Sequence, residues 1–149
     1  MVNTKKTTKP TNPKDRVGCT KPSTHFIPKP PLYEVANALL EGALKYGAYN
    51  WRVAGVRASI YYSACGRHLD AWLEGEDIDP ESGIHHVSKA IAGLLVIRDA
   101  MMAGKFSDDR PPKASAGWMR RAQEQTDALL AKYPEADRKI PFTQTNQER

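Results

Sequence analysis

Cys19 and Cys65 are the chain's two cysteines among 149 residues, and neither belongs to a CxxC pair. That excludes a disulfide framework and fits a reducing cytoplasm. Long hydrophobic runs are missing as well. The longest largely apolar stretch, residues 90–103, is broken by Arg98 and Asp99 and is too short to cross a bilayer. The N-terminus is rich in Lys, Thr and Pro and has no apolar segment of the signal-peptide kind. Apolar residues make up 40% and charged residues 26%, which suits one globular domain with its own core.

The net charge of +5 is unevenly spread. Residues 1–30 carry Lys5, Lys6, Lys9, Lys14, Arg16, Lys21 and Lys29 against Asp15, so this segment holds +6 and the rest −1. A basic arm on a near-neutral body can attract phosphates. Residues 1–11 have almost nothing to bury and read as a disordered basic tail. Residues 12–134 read as the folded domain and 135–149 as an irregular tail.

Four helical segments are expected, with no strand. The first covers residues 32–46, with Leu32, Val35, Leu39, Ala43 and Tyr46 on one stripe and Gly47 as its stop. The second covers 56–73, between Gly55 and Gly75. The third covers 80–103, with Asp79 as N-cap and Pro80 at the first helical position. Its expected buried face is Val87, Ala90, Ile91, Leu94, Ile97 and Met101. A weaker, more polar helix covers 114–133 and stops at Pro134. The fold class is all-α, a helical bundle.

The strongest chemical signal is acidic. Between Leu69 and Ser88 stand six carboxylates and no Lys or Arg, and Glu76, Asp77, Asp79 and Glu81 share one short loop. Such crowding calls for a cation or several hydrogen-bond donors. Hard oxygen ligands suit Mg²⁺ or Mn²⁺ when substrate phosphates complete the shell. The plain alternative is an acidic turn whose Asp79 and Glu81 complement a helix dipole. A second signal runs from Gly42 to Arg52. It sets Lys45 and Arg52 beside Tyr46, Tyr49 and Trp51, with Asn50 able to pair with a base edge. Arg57 and Arg67 could add charge against phosphates. His86 and Lys89, three apart, could form a polar pocket wall. His68, four residues before Trp72, reads as a core histidine, and Cys65 as a small buried hydrophobe.

Several strings, taken in order, resemble the phage dATP/dGTP diphosphohydrolase family: Asn12-Pro-Lys-Asp with Thr20-Lys-Pro, Gly42-Ala-x-Lys-Tyr-Gly-x-x-Asn-Trp-Arg52, Arg67-His68-x-x-Ala-Trp72, Gly75-Glu-Asp-x-Asp-x-Glu-Ser-Gly83 with His86, and Asp108-Asp-Arg-Pro111. That family is grouped with the all-α, MazG-like nucleotide pyrophosphatases, and its best-known branch is called MazZ. The resemblance implies a MazG-like bundle with an extended N-terminal arm. It also implies a homo-oligomer, dimer or tetramer, in the infected host's cytoplasm, cleaving dGTP or dATP between the α and β phosphates with Mg²⁺ or Mn²⁺.

On that reading Glu41, Glu76, Asp77, Asp79 and Glu81 are the candidate metal ligands, and Glu76, Asp79 and His86 the catalytic candidates. Lys45, Tyr46, Asn50, Trp51, Arg52, Arg57 and Arg67 would bind substrate. Lys14, Arg16 and Lys21 could close over the triphosphate. The chain departs from the MazG-like pattern of paired acids on two helices. Helix one offers Glu34 and Glu41 with Asn37 and Ala38 between them, and helix three offers His86 and Lys89.

Two rival readings remain at this level. A non-enzymatic phage nucleic-acid-binding protein would use the basic arm and the Trp/Tyr loop, but leaves the acids unexplained, since they repel a phosphate backbone. A structural bundle with a calcium-stabilised acidic turn is the other.

Overall fold

The computed structural model describes residues 12–135 and 143–145. The expected basic tail, 1–11, and most of the expected C-terminal tail lie outside them. The chain opens with helix α1, Pro13–Gly18, which Asn12 caps by accepting from the Lys14 N–H. A short 3₁₀ turn follows at Thr24–Phe26. None of residues 12–34 is buried.

Helix α2, Lys29–Tyr46, begins ahead of the expected residue 32. Pro30 and Pro31 fall in its first turn, where a missing N–H breaks no helical bond. The backbone then runs through a 3₁₀ turn, Asn50–Arg52, into strand β1, Val56–Arg57, and directly into helix α3, Ala58–Leu73. Helix α4 is His86–Met102, strand β2 Phe106–Ser107 and helix α5 Trp118–Lys132. β1 pairs with β2 in parallel, Val56 opposite Phe106 and Arg57 opposite Ser107. Two residues are too few to show an alternation, so these strands escape a sequence reading. Gly55 makes the approach possible: it has φ +82°, and a Cβ there would lie 2.7 Å from the Lys105 carbonyl oxygen.

α4 is the central element, packed on α2 and on α3. The buried apolar residues are Val35, Ala38, Val56, Ala58, Cys65, Ala90, Ala92, Val96 and Ala100. All are small, so the helices approach closely around a thin core. Leu39 bridges the two clusters, one on Val35, Ala38 and Ala92, the other on Val56, Val96 and Ala100. The face of α4 expected to be buried is so at Ala90 and partly covered at Val87 and Ile97, but not at its other positions. Ile91, Leu94 and Met101 are exposed, as is Leu95, while His86, Ser88, Ala90, Ala92, Val96 and Ala100 turn inward. α5 has Trp118, Met119, Leu129 and Leu130 exposed and no buried residue.

The start of α4 also differs from expectation. Residues 80–85 are not helical; His85 is the N-cap, its Nδ1 accepting from the Val87 N–H. Asp79 instead builds a turn. Its Oδ1 accepts from the Glu81 N–H, its carbonyl accepts from the Gly83 N–H, and an Ile78–His85 bridge closes the loop. An Asp-Pro pair opens an Asx turn as readily as a helix, because in both the carboxylate accepts an N–H two residues on.

Candidate active site

Two lysines answer the acidic crowding, and neither comes from the acidic stretch. Lys89, three residues into α4 from His86, reaches back to Asp79 Oδ2, Ser82 Oγ at 3.1 Å and Glu41 Oε2 at 3.0 Å. Its three ammonium protons have three acceptors. Lys45, near the end of α2, bonds Glu41 Oε1 and Glu81 Oε1, each at 2.7 Å. Glu41 is four residues before Lys45, the spacing at which a helix sets one side chain above another.

The electrostatics follow from those contacts. Asp79 is 8% exposed, and the Lys89 hydrogen bond, acting against burial and helped by the Glu81 N–H and Ser82, holds its carboxyl at about 2. Burial opposes the charge on Glu41, but Lys45 and Lys89 outweigh it and keep that carboxyl below its ordinary range. Burial likewise opposes the charge on Lys89, and Asp79 and Glu41 push its pKa up in spite of it. Hydrogen bonds from Lys45 to Glu41 and Glu81 raise the Lys45 pKa.

Next to this network lies a cavity of about 220 Å³, whose walls include Tyr46, Asn50, Trp51, Tyr61, His68 and Lys89. Its volume is below the ~300–1,000 Å³ of drug-sized sites, so it suits one planar ring system rather than a whole nucleotide. The loop carrying Tyr49, Asn50 and Trp51 is pinned by Asp99 of α4. Asp99 Oδ2 accepts from Trp51 Nε1 at 2.6 Å and from Arg52 Nε at 2.7 Å, and Oδ1 accepts from Arg52 Nη2 at 2.9 Å. Those bonds, Arg52 first, lower the Asp99 carboxyl to about 2. Tyr49 takes a left-handed conformation, φ 57°, with the Arg52 guanidinium 4.7 Å from its ring centroid.

Of the expected substrate-binding residues, Tyr46, Asn50 and Trp51 therefore share one cavity, and Lys45 sits beside the carboxylates. Arg52 is engaged by Asp99. Arg57 lies on β1, 3.9 Å from Asp109, and Arg67 is exposed on α3. Asp109 also caps α3 from outside, accepting from the Ser59 N–H and hydroxyl.

The expected metal ligands do not form one cage: among the described residues no three His, Cys, Asp or Glu side chains come together in that way. Glu41, Asp79 and Glu81 meet through lysines. Glu76 bonds His86 Nε2 at 2.8 Å, and Asp77 is exposed, 3.9 Å from His85. His86 itself is buried and meets His68 ring to ring. Sequence reasoning passed over Asp99, although an acid interrupting an apolar run was its signal. His68, expected as a core histidine, is partly buried and bonded to His86, and it also forms part of the cavity wall.

A family model described as dATP/dGTP diphosphohydrolase, N-terminal, matches residues 11–110. The chain belongs to that family. A relative, the dATP/dGTP diphosphohydrolase of Salmonella phage PMBT28, is 36% identical over 77 residues, 52% of this chain and 26% of its own length. The shared stretch is thus about a quarter of that protein. No solved structure matches. The family match takes in α1 to α4, both strands and every residue of the site above, and it ends before α5.

Proposed function

We propose that this chain hydrolyses dGTP or dATP to the monophosphate and pyrophosphate with Mg²⁺ or Mn²⁺. The observation that carries the reading is a ring-sized cavity, walled by Tyr46, Asn50 and Trp51, that ends at Lys89 and so adjoins a network of three carboxylates and two lysines. The purine would lie against Trp51 and Tyr46. Lys45, 40% exposed at its side chain, would leave its carboxylates for the phosphates and offset charge on the departing pyrophosphate.

The donor set fits a metal that arrives with the nucleotide. Mg²⁺ commonly takes one or two protein carboxylates and fills its shell with phosphate oxygens and water, and a closed protein cage is not needed. Glu41, Asp77, Asp79 and Glu81 would hold it, where it would offset phosphate charge and acidify a water. Glu76, outside both the lysine network and this ligand set, would accept the water's proton.

The exposed outer face of α4, with leucines and isoleucine at helical spacing, supports a homo-oligomer, since apolar patches of this kind mark association surfaces. An enzyme of this sort would adjust the purine nucleotide pool in the cytoplasm of an infected host.

Incubation with each deoxynucleoside triphosphate, with and without divalent metal, tests the reading. The expected products are dNMP and pyrophosphate, lost on chelation. Orthophosphate and dNDP as first products would overturn it.

A further inference from the structure

We infer that His68 reads the nucleobase as a hydrogen-bond acceptor, held in one tautomer by Glu76 acting through His86. The inference rests on the proposed reaction for the identity of the base, and on geometry for the rest.

The geometry is a chain of three side chains. Glu76 Oε1 lies 2.8 Å from His86 Nε2, and His86 Nδ1 lies 2.9 Å from His68 Nδ1. The two rings are 5.1 Å apart between centroids and tilted by 41°. Glu76 is half exposed, the His86 side chain is 6% exposed, and His68 forms part of the cavity wall. The chain therefore runs from solvent, through the protein, to the cavity.

Hydrogen-bond bookkeeping assigns the protons. An ionised carboxylate only accepts, so the proton between Glu76 and His86 belongs to His86 Nε2. A neutral His86 then has a bare Nδ1. The proton between the rings belongs to His68 Nδ1, which leaves His68 Nε2 as a lone pair on the cavity side of the relay. The opposite arrangement, with Nδ1–H on His86 donating to His68, would reverse His68 into a donor. The surroundings of His68 also favour a neutral ring. Burial lowers its pKa, and the charges of Lys89 and Arg67 act in the same direction against the opposing pull of Asp79.

An acceptor at this place selects bases with an N–H on the edge that enters. Adenine offers its exocyclic amine there, and guanine its N1–H and amine. A purine with no N–H on that edge leaves the lone pair without a partner. His68 thus determines specificity, and His86 and Glu76 are positioning residues that act through it.

Two measurements on the full chain test this. Imidazole ¹⁵N spectra of the wild type read the tautomer directly: His68 is expected as Nδ1–H with a bare Nε2. Kinetics then compare dATP and dGTP with the triphosphate of unsubstituted purine deoxyriboside. The wild type should use the unsubstituted purine about tenfold less well in kcat/KM, the worth of one hydrogen bond. His68→Phe should remove the tenfold preference, so that dATP and dGTP are used no better than the unsubstituted purine. His86→Gln, whose amide can donate to Glu76 and accept from His68, should keep the discrimination, and His86→Leu should lose it. A His68 ring protonated at Nε2, or discrimination retained in His68→Phe, overturns the inference while the proposed reaction stands. Absence of turnover of every deoxynucleoside triphosphate by the wild type overturns the reaction, and the base reading with it.

Discussion

Lys89 and Glu41 meet at 3.0 Å across the packed faces of α4 and α2, and the same ammonium holds Asp79 of the acidic loop. One side chain therefore ties two helices and a loop together at the edge of the cavity. Its own side chain is 12% exposed, as is that of Asp79, while Glu41 is 20% exposed. Charges this withdrawn from water are costly without each other.

Lys89→Met should accordingly destabilise the fold by about 3–5 kcal/mol, the cost of leaving buried carboxylates without a partner. Asp79→Asn should cost about 2 kcal/mol by the same argument. As a simple N-cap, Asp79 would tolerate that change for at most about 1 kcal/mol. Urea midpoints for the two variants check both figures, and a near-neutral Asp79→Asn would show that Asp79 supplies only the Asx turn, which an amide oxygen also makes.

Acid should act on the same pair. The Asp79 carboxyl titrates at about 2 in the fold and near 3.9 when unfolded. Its contribution is thus fully present above pH 4 and is lost as the pH falls from about 4 to about 2. The loss should be on the order of 1–2 kcal/mol, after allowance for solvent screening. Denaturant melts across that window should show it in the wild type and a shallower slope in Asp79→Asn.

The α3–α4 contact should be sensitive to a single methyl group. A Cβ at Gly93 would stand 2.5 Å from Cys65 Sγ, and Cys65 is buried with its thiol on the Ala90 carbonyl. Gly93→Ala should cost about 1–3 kcal/mol from overpacking, and much less in a Cys65→Ala background. A double-mutant cycle measures the coupling; additive effects would mean that the helices shift apart freely.

Leu94→Glu and Leu95→Glu test the outer face of α4. Both positions are about half exposed, at 53% and 46%, so neither change should disrupt packing within one chain. Each should reduce the subunit mass measured by light scattering. An unchanged mass across both variants would place the association surface elsewhere.

Helices α2 to α5 were legible because apolar residues recur at helical spacing in each, and the ends at Gly47 and Leu73 follow ordinary stop signals; α1, six residues with none buried, has no such stripe to read. The acidic loop was not, because Asp79-Pro80 carries the same local signal in an Asx turn as at a helix start. The side of α4 that packs was misjudged for a different reason. Large aliphatics bury more area and dominate a sequence reading, yet Ala92 and Ala100, beside the expected Ala90, let the helices come close. At the site, Tyr46, Asn50 and Trp51 were legible as one cluster. The partners that organise it, Asp99, Lys89 and His68, are 17 to 53 positions away from them, beyond the reach of local spacing.

The small-residue core has a consequence for how this protein must be handled. Alanine and valine bury little area each, so a lone chain gains little free energy from hydrophobic transfer. If copies associate through the exposed faces, much of the folding free energy becomes a property of the solution rather than of the chain. Melting temperature should then climb with protein concentration, and specific activity should fall on dilution, slowly, as subunits separate.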